Sequence, residues 1–165
     1  RSVQRVVGGV AGASGLALSP DGRTLYVSDL GNRCVWSMDA DARELTAGGK
    51  NCQSAFSGLP AYPGALAMEA DGTLYISYRW ARSGWLEKNA DSTLLRGIAL
   101  RAGQNLQEKL FGLPSDAPCA EAVSTADGSW KRTFIGGSSC TAVCPVGSKV
   151  YFGAADSAQV LSARI

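Results

Sequence analysis

Histidine is absent from all 165 residues, and that gap removes two common hydrolytic arrangements. A Ser-His-Asp triad needs an imidazole as its general base, and histidine-ligated zinc needs imidazole nitrogens. Charge is scarce too: Asp, Glu, Lys and Arg make up 18% of the chain, against about a quarter in an ordinary domain. The net charge is only +2. Arg5, Arg23, Arg33, Arg43, Arg79, Arg82, Arg96 and Arg101 are scattered, with a local cluster only at Arg79 and Arg82. So diffuse a field argues against nucleic acid as a partner. No apolar run reaches the roughly 18 residues that span a bilayer, so no membrane span is expected. The five cysteines contain no C-x-x-C pair, the usual signature of structural zinc. Cys140 and Cys144 would lie about 13 Å apart along a strand, too far for a mutual disulfide. Two readings of the cysteines stay open: one or two longer-range bridges in an oxidising compartment, secreted or organelle-lumenal, or buried free thiols. The chain opens on Arg1 rather than Met, which reads as a processed or trimmed N-terminus.

What is present is glycine, 20 residues of it, with 45% hydrophobic residues. That mixture suits a turn-rich β protein with a real core in one domain, 1–165. The organisation is repetitive. Gly15-Leu16-Ala17-Leu18-Ser19-Pro20-Asp21-Gly22-Arg23-Thr24-Leu25-Tyr26-Val27-Ser28 returns, degraded, as Gly64-Ala65-Leu66-Ala67-Met68-Glu69-Ala70-Asp71-Gly72-Thr73-Leu74-Tyr75-Ile76-Ser77. Asp21 and Asp71 are 71 − 21 = 50 residues apart, a period that marks repeated small sheets.

Strands are expected at Val3–Val7, Leu16–Leu18, Thr24–Ser28 and Cys34–Met38, each bounded by Gly, Pro, Asn or Asp turns. A second unit follows from Gly64, with its third strand expected at Thr93–Leu100 after an insertion at Arg79–Asp91. Asp127-Gly128 repeats the turn motif and adds a fourth unit if counted separately. Cys140–Cys144, Lys149–Gly153 and Val160–Ser162 read as three strands of a last unit. The expected borders are 14–63, 64–119 and 120–165, with 1–9 as a strand closing the last sheet. The fold class is therefore all-β: three to four propeller blades of four-stranded antiparallel sheets in a partial or shared ring.

At Gly15 to Met38 the chain resembles NHL-repeat and six-bladed SMP-30/gluconolactonase-like β-propellers, through the Ser-Pro-Asp-Gly turn, the Leu-Tyr-Val-Ser-Asp strand and the Gly-Asn-Arg turn. The resemblance is strong over Gly15–Gly49, fair over Gly64–Ser77 and weak over Ser139–Ile165. It implies, for the lactonase-like members, a divalent metal held by Asn or Asp just ahead of the blade-opening glycine. Here Ser14 and Pro63 stand at those places. No catalytic residue, metal ligand or cofactor is assigned, and hydrolysis through a family-type metal site is not expected.

Two groups are candidates for binding. Tyr78, Arg79, Trp80, Arg82 and Trp85 put aromatic and guanidinium groups where the first unit has a polar turn, and such residues anchor interfaces or stack on sugars. The ordinary alternative is local packing over a sheet end. Asp29, Asn32 and Arg33 could line a binding face, although Asp and Asn beside a turn more often bond its backbone. Glu69, Glu87 and Glu121 show no spacing that argues for acid–base work. The leading expectation is a non-enzymatic module acting through protein contacts, its ring completed by a second copy or another polypeptide. The alternatives are a secreted or lumenal ligand- or carbohydrate-binding propeller and a divergent metal-dependent hydrolase.

Overall fold

The computed structural model describes residues 2–89, 118–136, 140–154 and 158–165, with Ser92, Leu95, Ile98, Arg101 and Gly103. Short strands dominate it. β1 (Val7–Gly8) is followed by β2 (Ala13–Leu18), β3 (Thr24–Asp29) and β4 (Cys34–Asp39), then the two-residue β5 (Leu45–Thr46) and β6 (Cys52–Phe56). The order β2-β3-β4-β6 forms the first four-stranded sheet, antiparallel throughout. The second sheet contains β7 (Ala61–Met68), β8 (Thr73–Ala81), β9 (Pro118–Ser124) and β10 (Trp130–Ile135), again in simple antiparallel order. A short helix α1 (Gly84–Lys88) lies between β8 and β9. The third sheet has three strands, β11 (Ala142–Val146), β12 (Lys149–Gly153) and β13 (Val160–Arg164).

The Asp-Gly motif explains how the sheets reverse. Gly22 takes φ 73°, which a residue with a Cβ rarely adopts, and the Asp21 carboxylate accepts from the Arg23 amide at 3.1 Å. The β7–β8 turn copies this with Gly72 at φ 81° and Asp71 accepting from the Thr73 amide at 2.9 Å. Asp127-Gly128 does the same between β9 and β10, with Asp127 accepting from the Ser129 amide at 3.0 Å. The third motif therefore turns within the second sheet rather than opening a unit of its own. Among the described residues there are three antiparallel sheets of three or four strands, besides the two-stranded β1–β5 pair.

The sheets stack face to face with β8 in the middle. Its alternation sends Leu74, Ile76 and Tyr78 toward Tyr26, Val35, Phe56 and Leu59 of the first sheet side. Tyr75, on the opposite face, packs with Phe134, Val143, Val150 and Phe152. Each such fully buried side chain contributes about 1.5–3 kcal/mol of transfer free energy. The innermost strands come very close: a Cβ on Gly15 would lie 2.4 Å from the Gly64 carbonyl oxygen and 2.7 Å from the Leu66 nitrogen. Ser14 Oγ donates to the Pro63 carbonyl at 2.9 Å, and Ser28 Oγ donates to the Gly64 carbonyl at 2.6 Å. Only a glycine lets β2 and β7 meet at this distance.

Three expectations change. The N-terminal segment does not close the third sheet, because β1 pairs in parallel with β5. Backbone bonds from Leu45 to Val6 (2.8 Å) and from Ala47 to Gly8 (2.9 Å) hold it, and Arg5 pairs with Glu44. Val6 and Val7 then pack over Val27, Met38 and Cys52 on the outer flank of the first sheet. The strand expected at Thr93–Leu100 is not one where it is described: Leu95 and Ile98 are helical, and its other residues lie outside the described residues. Positions three apart share a helix face, which suits Leu95 and Ile98. The third strand of that sheet is Pro118–Ser124, so the border expected at 119 falls inside β9.

Candidate functional site

Antiparallel pairing brings the β3–β4 turn and the β8–β9 connection to one end of the stack. The two groups of candidate residues sit on these two segments. Glu87 of α1 joins them: Arg82 Nε and Nη2 bond its two oxygens at 2.8 and 2.6 Å, and Arg33 Nη1 lies 3.4 Å from Oε1. The hydrogen bond from Arg82 holds the Glu87 carboxyl below its ordinary value, and the same bond raises Arg82. Arg33 itself occupies the left-handed region at φ 50°, and its carbonyl accepts from the Leu59 amide at 3.3 Å. The turn is thus fixed from both sides, and its guanidinium is presented to the helix.

Asp29 is fully enclosed, at 0% exposure. Its carboxylate accepts from the Ala11 amide at 3.1 Å, from Asn32 Nδ2 at 2.8 Å, from the Asn32 amide at 3.3 Å and from Trp36 Nε1 at 2.9 Å. Burial pushes its carboxyl up, but the bonds from Trp36, Ala11 and Asn32 outweigh that and hold it below the ordinary 3.8. Asp29 and Asn32 therefore spend their polar atoms on one another and on the turn. This satisfied arrangement builds the end of the sheet.

The aromatic insertion divides in a similar way. Tyr78 does not face solvent: its ring is in the core, its hydroxyl donates to Glu121, and burial with that bond pushes the phenol far above its usual range. Thr133 Oγ1 donates to the other Glu121 oxygen at 3.2 Å. Trp80 is 45% exposed, and the Arg79 guanidinium carbon stacks 4.6 Å from its ring centroid. Trp85 is half-buried on α1, where the Asn89 amide donates to its carbonyl at 3.1 Å. The exposed Arg79–Trp80 stack ends β8 just before Arg82, whose guanidinium bonds Glu87.

Ser14 and Pro63, at the family's ligand positions, are taken up by the contact between the first two sheets, with Ser14 Oγ 3.0 Å from Ser28 Oγ. Among the described residues, no three His, Cys, Asp or Glu side chains gather closely enough to share a cation. Among them, too, no helix is long and apolar enough to cross a membrane. In the sequence Glu87 was weighed only for acid–base work, not as the bridge between the two segments. Its only visible signal was Arg82, five residues earlier; Arg33 lies 54 residues away.

Consecutive antiparallel sheets, two of four strands and one of three among the described residues, stacked about their first strands make this an arc of a β-propeller. The family model described as "SMP-30/Gluconolactonase/LRE-like region" matches residues 1–112, and the chain belongs to that family. Among solved structures it is similar to luciferin-regenerating enzyme, with a TM-score of 0.55 and 20% identity over 88% of this chain and 38% of that one. It is also similar to the hydrazine synthase of Kuenenia stuttgartiensis, with a TM-score of 0.51 and 16% identity over 92% of this chain and 31% of that one. At these identities the likeness concerns the fold, and the chain spans about a third of each neighbour's length. No curated protein matches.

Proposed function

We propose that this chain is a non-enzymatic interaction module whose ring is completed by protein, either a second copy of itself or another polypeptide. The observation that carries the reading is apolar exposure on both outer flanks of the arc. On β2, Leu16 and Leu18 point away from the second sheet and are 64% and 51% exposed. On the third sheet, Val143, Val150 and Phe152 face inward, while Cys144, Val146, Tyr151 and Val160 alternate onto the open face. Val160 is 74% exposed. The β1–β5 pair covers Val27, Met38 and Cys52 on the first flank but leaves Leu16 and Leu18 open, and apolar exposure on both flanks is what a ring segment presents at its two cuts.

Three sheets are half of the six blades in the propellers that the sequence resembles, so two copies would supply the full number. The surface formed by Arg79, Trp80, Arg82, Trp85 and Arg33 lies at the end of the stack rather than on a flank. It serves as a second contact, available after closure.

Sedimentation of the 165-residue chain tests the reading directly. A dimer that dissociates in the Leu16→Asp/Val160→Asp variant supports closure by a second copy. A monomer that these changes leave untouched, and that a candidate partner polypeptide does not engage through either flank, overturns the proposal. Trp80→Ala is expected to weaken partner binding at the end surface by about 1 kcal/mol or more if that side chain is an anchor.

A further inference from the structure

We infer that Cys119 and Cys140 form a disulfide that staples the second sheet to the segment entering the third. The five cysteines are not equivalent. Cys34 and Cys52 lie on neighbouring strands, but Cys52 stands opposite Met38, four residues along β4 from Cys34. That register separates them by about 13 Å along the sheet, beyond the reach of a bridge. Cys144 is exposed on the outer face of β11, across from Tyr151. Cys119 and Cys140 are instead buried together among Ala120, Phe134, Val143 and Phe152, and both lie against Tyr78: Ala120 pairs with Ser77, and the Cys140 amide bonds the Tyr78 carbonyl.

The backbone aims both side chains at this meeting. The β9–β10 ladder passes from Phe134↔Ala120 to Ile135↔Pro118, so Cys119 is the unmatched residue of a bulge. Bulges re-aim a side chain by bending their strand. Cys140 is held from the other side, its amide donating to the Tyr78 carbonyl at 2.8 Å.

Formation is a two-step exchange with a small-molecule disulfide such as oxidised glutathione. The thiolate of either cysteine attacks one glutathione sulfur, that S–S bond breaks, and one glutathione thiolate leaves. The other cysteine's thiolate then attacks the protein sulfur of the mixed disulfide and expels the second glutathione. Two protein thiols are oxidised, one disulfide is reduced to two thiols, and both protons pass to solvent or to the leaving thiolates. Because both sulfurs are buried in the finished structure, the exchange belongs to folding, before the third sheet docks.

The test is to refold the chain in a glutathione redox mixture, then denature and alkylate it without reductant. The expected product is about 2 Da lighter than the reduced chain, the mass of two hydrogens, before alkylation. Of the five cysteines, which the structure holds as free thiols, only Cys34, Cys52 and Cys144 should take the label. Cys140 and Cys144 share the tryptic peptide that ends at Lys149, so Cys144→Ser assigns the bridge and should retain it. The oxidised form should melt roughly 5–10 °C above the reduced form, a difference lost in Cys119→Ser. Five labelled thiols, or a bridge that disappears in Cys144→Ser, overturns the inference.

Discussion

The second and third sheets are built from the same kind of strand and differ in what lies beside them. β8 is buried over six consecutive residues, Thr73 to Tyr78, because sheets cover it on both faces. β12 alternates, with Val150 and Phe152 buried and Lys149 and Tyr151 exposed, because only one face is covered. A two-residue rhythm is thus the mark of a half-covered sheet, and its loss marks enclosure. Local propensity makes both strands; the neighbours decide how much each side chain weighs.

The comparison breaks most visibly by removing side chains. Ile76→Ala in β8 should cost about 3–4 kcal/mol and Tyr151→Ala in β12 less than about 1 kcal/mol, read as shifts in the urea midpoint. Similar losses at the two sites would mean that the open face is covered. Next in size is glycine. Gly15→Ala forces a methyl against the backbone of β7 and should cost about 2–3 kcal/mol, whereas Gly153→Ala meets only the Ala142 methyl at 3.4 Å and should cost under about 1 kcal/mol. Thermal melts of the two variants check this.

A smaller contrast sets Asp29 against Asp127, both carboxylates with lowered values. Asp127 is held at about 2 by bonds from Ser129, but it is fully exposed and turn-local. Asp29→Asn should cost about 1–3 kcal/mol, the penalty for disturbing a buried and fully bonded group. Because its folded value lies below its unfolded one, Asp29 contributes stability that is fully present above about pH 4 and is lost as pH falls through the folded value. An acid titration of unfolding should therefore be flatter in Asp29→Asn than in the parent chain below pH 4. The smallest effect belongs to Glu87→Gln. The Arg82 and Arg33 pairs are partly solvated, so about 0.5 kcal/mol is expected, shrinking further in 0.5 M salt. A larger loss would show that α1 is pinned to the first sheet more firmly than its exposure implies.

The first sheet was readable because its turns carry their chemistry on the surface of the sequence: Ser-Pro-Asp-Gly, Gly-Asn-Arg and strands rich in Val, Tyr and Trp. β9 was not. Pro118-Cys-Ala-Glu-Ala-Val-Ser is alanine-rich and buried on both faces, so it shows neither strong strand propensity nor alternation. The Leu-rich segment before it drew the strand assignment instead. At the site, the turn role of Asp29 was legible from its neighbours, whereas Glu87 depends on Arg33, which only the stacking of two sheets brings near. Tyr78 was misplaced on the surface because its hydroxyl partner, Glu121, lies 43 residues further on.

The 36 residues between β8 and β9, 82–117, also set an order of events in time. The first sheet has all its strands once residue 56 is made, so its pairings close over short chain separations. β8 can pair with β7 at once, yet its other edge waits for Pro118–Ser124, with Thr73 joining Ser124 across 51 positions. At about 5–20 residues per second, synthesis leaves that edge open for roughly 2–7 s. During that interval the strand that ends as the best-protected one in the protein is the one most available to a wrong neighbour.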